Sequence, residues 1–322
     1  MLLLALGCAG TTADTAPVDT GDEPIPWSYP LDDTLRLTDA QVAATHNSTH
    51  IAPDPYVVPD WDYTMPPLTE QLRLGVRSVE LDVHQAGDTF EVYHVDTFDD
   101  TVTCGRLDVC LDELAAWSTR NPAHFPLYVQ FEPKDDTGGD PITAWDTFDQ
   151  VLRDHGPPMF TPADLRGAHA TLAEALADGG WPTLGELRGK VIYGMDDEDT
   201  HRDAYRARGD GVVFLDGLPG DDDAALAIVN DPASPNLPGA LSAGFLTRVF
   251  VDSATDTPEA RTAGRAAGLA SGAHVLSTDY PADAGDIPGF TIPGGSPVGC
   301  NPVTAPAACT PAALEDPAFI RD

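Results

Sequence analysis

The chain has 322 residues, with 52 acids against 17 bases and a formal net charge of -35. Its length suits one large α/β domain, and 42% hydrophobic residues are enough for a sizeable core. So acidic a surface repels nucleic acid and bare anionic membranes, which excludes nucleic acid as a partner, and no run of about 18 apolar residues offers a transmembrane segment.

The opening "MLLLALGCAG" is a short apolar run ending at Cys8. It resembles the end of a bacterial lipoprotein signal, whose cysteine is lipidated after cleavage, although it is short and lacks a basic leading segment. Residues 9–26 are acidic and rich in Thr, Asp and Pro, with almost nothing to bury, and are expected to form a disordered tether. Signal residues 1–8 and this tether together predict export, as a cell-envelope lipoprotein or a secreted protein. Residues 27–322 are expected to form a single catalytic domain and to act as a monomer.

"QVAATHNS" (41–48) reads as a first strand. The Pro-rich loop after it carries Tyr56, Trp61 and Tyr63, placed either to pack over the end of the sheet or to line a lipid-facing rim. "LTEQLRLG" reads as a helix, and "VRSVELDVH" (76–84) as a strand with Val79, Leu81 and Val83 on one face and Glu80, Asp82 and His84 on the other. "FEVYH" follows after only Ala86-Gly87-Asp88, too few residues for a parallel crossover, so it returns as an antiparallel arm. Counting from a three-residue turn sets residue 85 opposite 89 and Glu80 opposite His94. A one-residue slip still leaves His94 close to Glu80 and Asp82.

Further strands are predicted at "LYVQFEPK" (127–134), "KVIYGMD" (190–196), "GVVFLD" (211–216), "LTRVFVDS" (246–253) and "AHVLSTDY" (273–280). Strands alternating with helices predict a parallel sheet, and this many in one chain predict a TIM-type (β/α) barrel, its strand count left open. Each run starts apolar and ends polar, and in such barrels chemistry sits at the C-terminal strand ends. "DDED" (196–199) and "DDD" (221–223) read as solvated loops. After Tyr280 the chain is Gly/Pro-rich and reads as a surface wrap. Within this frame Cys104, Cys110, Cys300 and Cys309 fall into two close pairs, and of three connectivities Cys104–Cys110 and Cys300–Cys309 close the shortest loops. Neither spacing fits a zinc ribbon or finger.

The polar strand ends collect His46 and Asn47, Glu80 and Asp82, His94 on the returning arm, and Glu132 with Lys134. Three carboxylates and an amide oxygen without paired cysteines suit calcium or magnesium better than zinc. Uncompensated, the carboxylates would repel and raise one another's pKa, a conflict that a divalent ion resolves. His46 and His94 can serve as general base and general acid, with His84 and His50 as competitors for either role. "STDY" sets Asp279 and Tyr280 either near the substrate or in turn hydrogen bonds.

"THNSTH", "QLRLGVRSVELDVH", the His94 arm, "CLDELAAWSTRNPAHFPLYVQFEPKDD", "SGAHVLSTDYP" and the late "PGG…CNP" resemble, in order, the bacterial calcium-dependent phosphoinositide phospholipase C family, from about residue 40 to 303. The resemblance implies a phosphodiesterase that acts on inositol phospholipids. In it, His46 takes the proton of the inositol 2-hydroxyl and His94, or His84, protonates the leaving glycerol oxygen. Asn47, Glu80, Asp82 and Glu132 would hold Ca2+, and Lys134, Asp279 and Tyr280 would meet the substrate. The pattern departs at 246–252, where the family tends to carry more arginine and this chain reads "LTRVFVD". A glycerophosphodiester phosphodiesterase shares barrel, metal and paired histidines, but has His-Arg-Gly where this chain has His46-Asn47-Ser48. A non-catalytic surface domain that binds sugars or lipid heads is the third reading, and the intact acid and histidine set argues against it.

Overall fold

Period-two alternation sorts the strand residues onto two sides of one closed sheet. The computed structural model describes residues 27–55, 58–135, 141–197 and 200–321. The signal with Cys8, the tether, Tyr56 and the second half of "DDED" lie outside these residues. Ten strands run in chain order: β1 (Ala40–Thr45), β2 (Val76–Ala86), β3 (Thr89–Val92), β4 (Leu127–Pro133), β5 (Val191–Met195), β6 (Phe214–Asp216), β7 (Ala224–Asn230), β8 (Leu246–Asp252), β9 (Val275–Thr278) and β10 (Val298–Cys300). Eight are parallel in the order β1-β2-β4-β5-β6-β7-β8-β9, and β9 pairs back onto β1 to close a TIM-type barrel. β3 and β10 are antiparallel additions, on β2 and on the first half of β1.

Val79, Leu81 and Val83 point outward and bury against helix Leu107–Arg120, whose Leu107, Leu111, Leu114 and Trp117 recur at helical spacing. Inward residues of the barrel strands fill it near its N-terminal end, among them Val42, Tyr128, Ile192, Phe214 and Leu226. Gly194 makes room there: a Cβ on it would lie 2.3 Å from the Tyr128 hydroxyl and 2.6 Å from Leu226 Cδ1. Near that end the C-terminal wrap is tied to the outer face of β2 and to the loop before β4. Arg77 Nε donates to Glu315 Oε2 (2.7 Å) with both side chains buried, and the other Glu315 oxygen accepts from the Phe125 amide at 2.7 Å.

Two expectations are corrected. "AALAIVN", not read as a strand, is β7, joined to β6 by residues 217–223 with no intervening helix. The hairpin turn has two residues, Gly87 and Asp88, with Gly87 at φ +66, so Gln85 pairs with Phe90 and the register is the slipped one. The ladder ends at Val83–Val92, and His94 leaves it for the loop beyond. Both expected disulfides, Cys104–Cys110 and Cys300–Cys309, are formed. No described helix is long and apolar enough to cross a membrane.

Candidate active site

The chain after β1 is stitched to β2 at one point. Ser48 N–H donates to the Glu80 carbonyl (2.9 Å), and Glu80 N–H donates to Ser48 Oγ (2.7 Å). Between Thr45 and Ser48 the chain must turn sharply, and Asn47 takes a left-handed conformation (φ +41), which asparagine tolerates better than most residues. His46 and Asn47 are thereby set beside Glu80 at the barrel mouth. His46 Nδ1–H donates to Asp279 Oδ1 at 2.9 Å, and Nε2 lies 4.0 Å from Glu80 Oε1. Asp279 Oδ2 accepts from the Ala254 amide at 2.8 Å, so this carboxylate is fixed at both oxygens. Burial works against a charge on His46, but Glu80 and Asp279 outweigh it and raise its pKa from 6.5 to about 9.

Parallel pairing of β2 with β4 sets Asp82 against Glu132 and Glu80 against Gln130. Oxygens of Glu80, Asp82 and Glu132 lie within 4.8 Å of one another. Burial, together with Glu132 and Glu80, pushes the Asp82 carboxyl well above its usual range, with Lys134 pulling the other way. Against its own burial, Lys134 holds Glu132 below the usual range. Lys134 Nζ lies 2.5 Å from Glu132 Oε1 and 3.3 Å from Asp82 Oδ1, so the lysine is turned to the carboxylates as their counter-charge. Asn47 Oδ1, at the same barrel mouth, is buried and has no hydrogen-bond partner among the described residues. Three crowded carboxylates and an orphaned amide oxygen form an all-oxygen donor set, which fits a hard divalent cation such as Ca2+.

Two further side chains hold Glu80, Arg248 and Gln130, and neither was singled out in the sequence for that task. Arg248 Nη2 donates to Glu80 Oε2 at 2.9 Å and to Ser277 Oγ at 3.2 Å, while Nη1 donates to Asn230 Oδ1. Gln130 Nε2 donates at 3.0 Å to both Glu80 Oε2 and Asp196 Oδ2. Burial, then Glu80, pushes Asp196 up to about 7. The signal for Arg248 was in "LTRVFVD": Val249 and Val251 are the outward apolar pair, so Arg248 points inward and needs an acid there.

His94 and His84 have different surroundings. His84 is 5% exposed, lies flat on Tyr93 (ring centroids 3.8 Å apart), and its Nε2–H donates to the Tyr93 carbonyl at 3.0 Å. His94 is more open, its side chain 22% exposed, and its Nδ1–H donates to Asp99 Oδ2 at 2.7 Å. The other oxygen of Asp99 lies 3.0 Å from Nδ1 of buried His50, and His50 Nε2–H donates to the Trp61 carbonyl at 3.1 Å. The His50 ring packs on Tyr63 at 4.3 Å, and the Tyr63 hydroxyl lies 3.4 Å from His46 Nδ1. The Trp61 ring meets His94 edge-on at 5.7 Å. His46 and His94 are therefore joined by one wall built on the loop after β1. Trp61 and Tyr63 belong to that wall. Tyr280, 5% exposed, packs with Tyr63 and Met65, and Asp279 faces His46, so the turn reading of "STDY" gives way to a histidine-holding one for Asp279.

The sequence profile described as "Phosphoinositide phospholipase C, Ca2+-dependent" matches residues 85–302, a span that contains His94, Asp99, Glu132, Lys134, Arg248 and Asp279 and begins just past Glu80 and Asp82. Comparison with curated protein sequences finds no match. Among solved structures, the chain is similar to a calcium-dependent phosphoinositol-specific phospholipase C from Pseudomonas sp. (TM-score 0.57, 16% identity, covering 78% of this chain and 92% of that one). It is also similar to the Ca2+-dependent phosphatidylinositol-specific phospholipase C of Streptomyces antibioticus (TM-score 0.57, 20% identity, 76% of this chain and 95% of that one). At these identities the two structures speak for the fold.

Proposed function

The chain belongs to the Ca2+-dependent phosphoinositide phospholipase C family, and from that premise we propose that it cleaves phosphatidylinositol-type lipids by attack of the inositol 2-hydroxyl on its own neighbouring phosphate. The observation that carries the reading is His46, with Nδ1 fixed by Asp279 and Nε2 turned toward Glu80 in the carboxylate group. Nε2 takes the 2-hydroxyl proton, and the ring stays oriented because Asp279 holds its other nitrogen. As the new P–O bond forms, the bond to glycerol breaks and its electron pair leaves on the glycerol oxygen. His94 Nε2 gives that oxygen a proton, so the products are diacylglycerol and inositol 1,2-cyclic phosphate. Asn47, Glu80, Asp82 and Glu132 would hold Ca2+, which when bound supplies positive charge to the phosphate oxygens and acidifies the attacking hydroxyl. Buried His84, tied to the Tyr93 carbonyl, is less able to meet substrate than His94. Export as a protein lipidated at Cys8 and held by the 9–26 tether remains part of this proposal, supported by the two disulfides.

The product tests it. Intramolecular attack is favoured because the nucleophile is already held beside phosphorus, worth on the order of 7–11 kcal/mol at best. Phosphatidylinositol with calcium should give diacylglycerol and, at least transiently, the strained cyclic ester, resolved from an open monoester by phosphorus NMR. Phosphatidylcholine, which lacks the hydroxyl, should stay intact. Ready cleavage of phosphatidylcholine or glycerophosphocholine, with no cyclic ester from the inositol lipid, would move the chain to the water-using rival.

A further inference from the structure

Asp99 is a buried carboxylate in a place that gives no packing reason for one. It is 1% exposed, yet its neighbour Phe98 is 57% exposed and the loop 95–99 is a tight surface turn closed by Val95 N–H to the Asp99 carbonyl (3.0 Å) and Asp99 N–H to the Val95 carbonyl (2.8 Å). Beyond it the chain runs back along the loop after β1. Ile51 N–H donates to the Thr101 carbonyl at 3.0 Å, and Thr103 N–H to the Thr49 carbonyl at 2.7 Å. The Cys104–Cys110 disulfide pins the far end of that stretch to helix Leu107–Arg120. This ladder delivers the carboxylate between two imidazoles, 2.7 Å from His94 Nδ1 and 3.0 Å from His50 Nδ1. A carboxylate taken out of water is costly unless it is paired; here Oδ2 accepts from His94, and Oδ1 lies at ion-pair distance from His50 Nδ1 without hydrogen-bond alignment.

We infer that Asp99 is a positioning residue for the proton-donating histidine, and that buried His50 is its anchor. By accepting from Nδ1–H, Asp99 fixes the ring so that Nε2 is the nitrogen left for the leaving glycerol oxygen. His50, held in turn by the Trp61 carbonyl and packed on Tyr63, keeps the carboxylate from swinging out to solvent. The arrangement follows the general logic in which a carboxylate behind a working imidazole sets its tautomer and aim. The inference rests on the proposal that His94 gives its proton to the leaving group.

A role exercised through proton donation depends on the leaving group, which a purely structural role does not. Glycerol oxygen leaves poorly without a proton, whereas 4-nitrophenolate leaves readily unaided. The full chain and its His94→Ala, Asp99→Asn, His50→Gln and His94→Ala/Asp99→Asn variants would be assayed with calcium on phosphatidylinositol and on 4-nitrophenyl myo-inositol 1-phosphate. Asp99→Asn should lower kcat on phosphatidylinositol by roughly 10–100-fold with little change in KM, and lower turnover of the nitrophenyl ester by less than about threefold. His50→Gln should show the same selectivity, more weakly. The double variant should be no slower than His94→Ala alone, because Asp99 acts through that ring. Equal losses on both substrates, or an Asp99 effect that persists without His94, would overturn the inference. If circular dichroism shows that Asp99→Asn does not fold, the His50→Gln comparison decides, and a loss there without leaving-group selectivity overturns it equally. A mild His94→Ala on phosphatidylinositol overturns the proton-donor assignment beneath it as well, while a severe His94→Ala with an unselective Asp99→Asn overturns this inference alone.

Discussion

Calcium and a proton on His46 should compete. The imidazole is raised from 6.5 to about 9, although burial works against its charge, because Glu80 and Asp279 hold the proton on. A general base must be free of its proton near neutrality, so something has to relieve that pull. His46 Nε2 lies 4.0 Å from Glu80 Oε1. A unit-charge pair at about 4 Å is worth about 1 kcal/mol in water and about 4 kcal/mol at the effective dielectric of a protein surface, or roughly one to three pH units. With its side chain 32% exposed, His46 belongs nearer the lower figure. A cation that takes up the Glu80 charge removes this part and leaves the Asp279 part, so the midpoint should fall by about 1–2 pH units. Histidine ring NMR, with His46→Gln used to assign the signal among nine histidines, would follow the titration with and without saturating calcium. Reciprocity requires calcium affinity to rise with pH across the same interval. The raised pKa also gives the sign of a stability effect in ion-free protein: the His46 contribution is complete below pH 6.5 and is lost as pH rises through about 9. A midpoint that calcium leaves in place would refute the reasoning, since the ion would then not be drawing on Glu80.

Removing divalent ions with a chelator should abolish cleavage of phosphatidylinositol, and calcium should restore it better than magnesium, because Asn47, Glu80, Asp82 and Glu132 offer several protein oxygens, whereas magnesium gives up its waters reluctantly; full activity in excess chelator would remove the metal from the site. His46→Ala and His94→Ala should each cost roughly 10²–10⁴ in turnover, the usual worth of a positioned base or acid. His84→Ala should cost less, given its stacking on Tyr93, and a severe His84→Ala beside a mild His94→Ala would exchange their roles.

The sequence exposed the parts of this site that lie on regular strands. Period-two alternation in "VRSVELDVH" and "LYVQFEPK" put Glu80, Asp82 and Glu132 on one surface, and parallel pairing sets Asp82 against Glu132. β7 escaped because "AALAIVN" is a short Ala-rich run behind three aspartates, with neither alternation nor a preceding helix to mark it. The hairpin register was off by one because a two-residue and a three-residue turn both suit "AGD". What tertiary structure alone could show are the partners behind the histidines. Asp279 is 233 residues from His46, and nothing local distinguishes a carboxylate that holds an imidazole from one that caps a turn. Asp99, one of two adjacent aspartates, is singled out only by the backbone ladder that carries it inward.

The ion pair of Arg77 and Glu315 ties the packing around β2 to a residue far along the chain. β1 has its neighbours at Val76–Ser78 on one side and Val275–Thr278 on the other, while Arg77, on the outer face of β2, meets an acid 238 residues beyond it. Without Glu315, packing helix Leu107–Arg120 and its Trp117 over Arg77 would bury a guanidinium without its carboxylate, at a cost of about 3–5 kcal/mol. That is a large part of the stability of an ordinary domain. A polypeptide that stops short of Glu315 therefore gains little by packing this helix early.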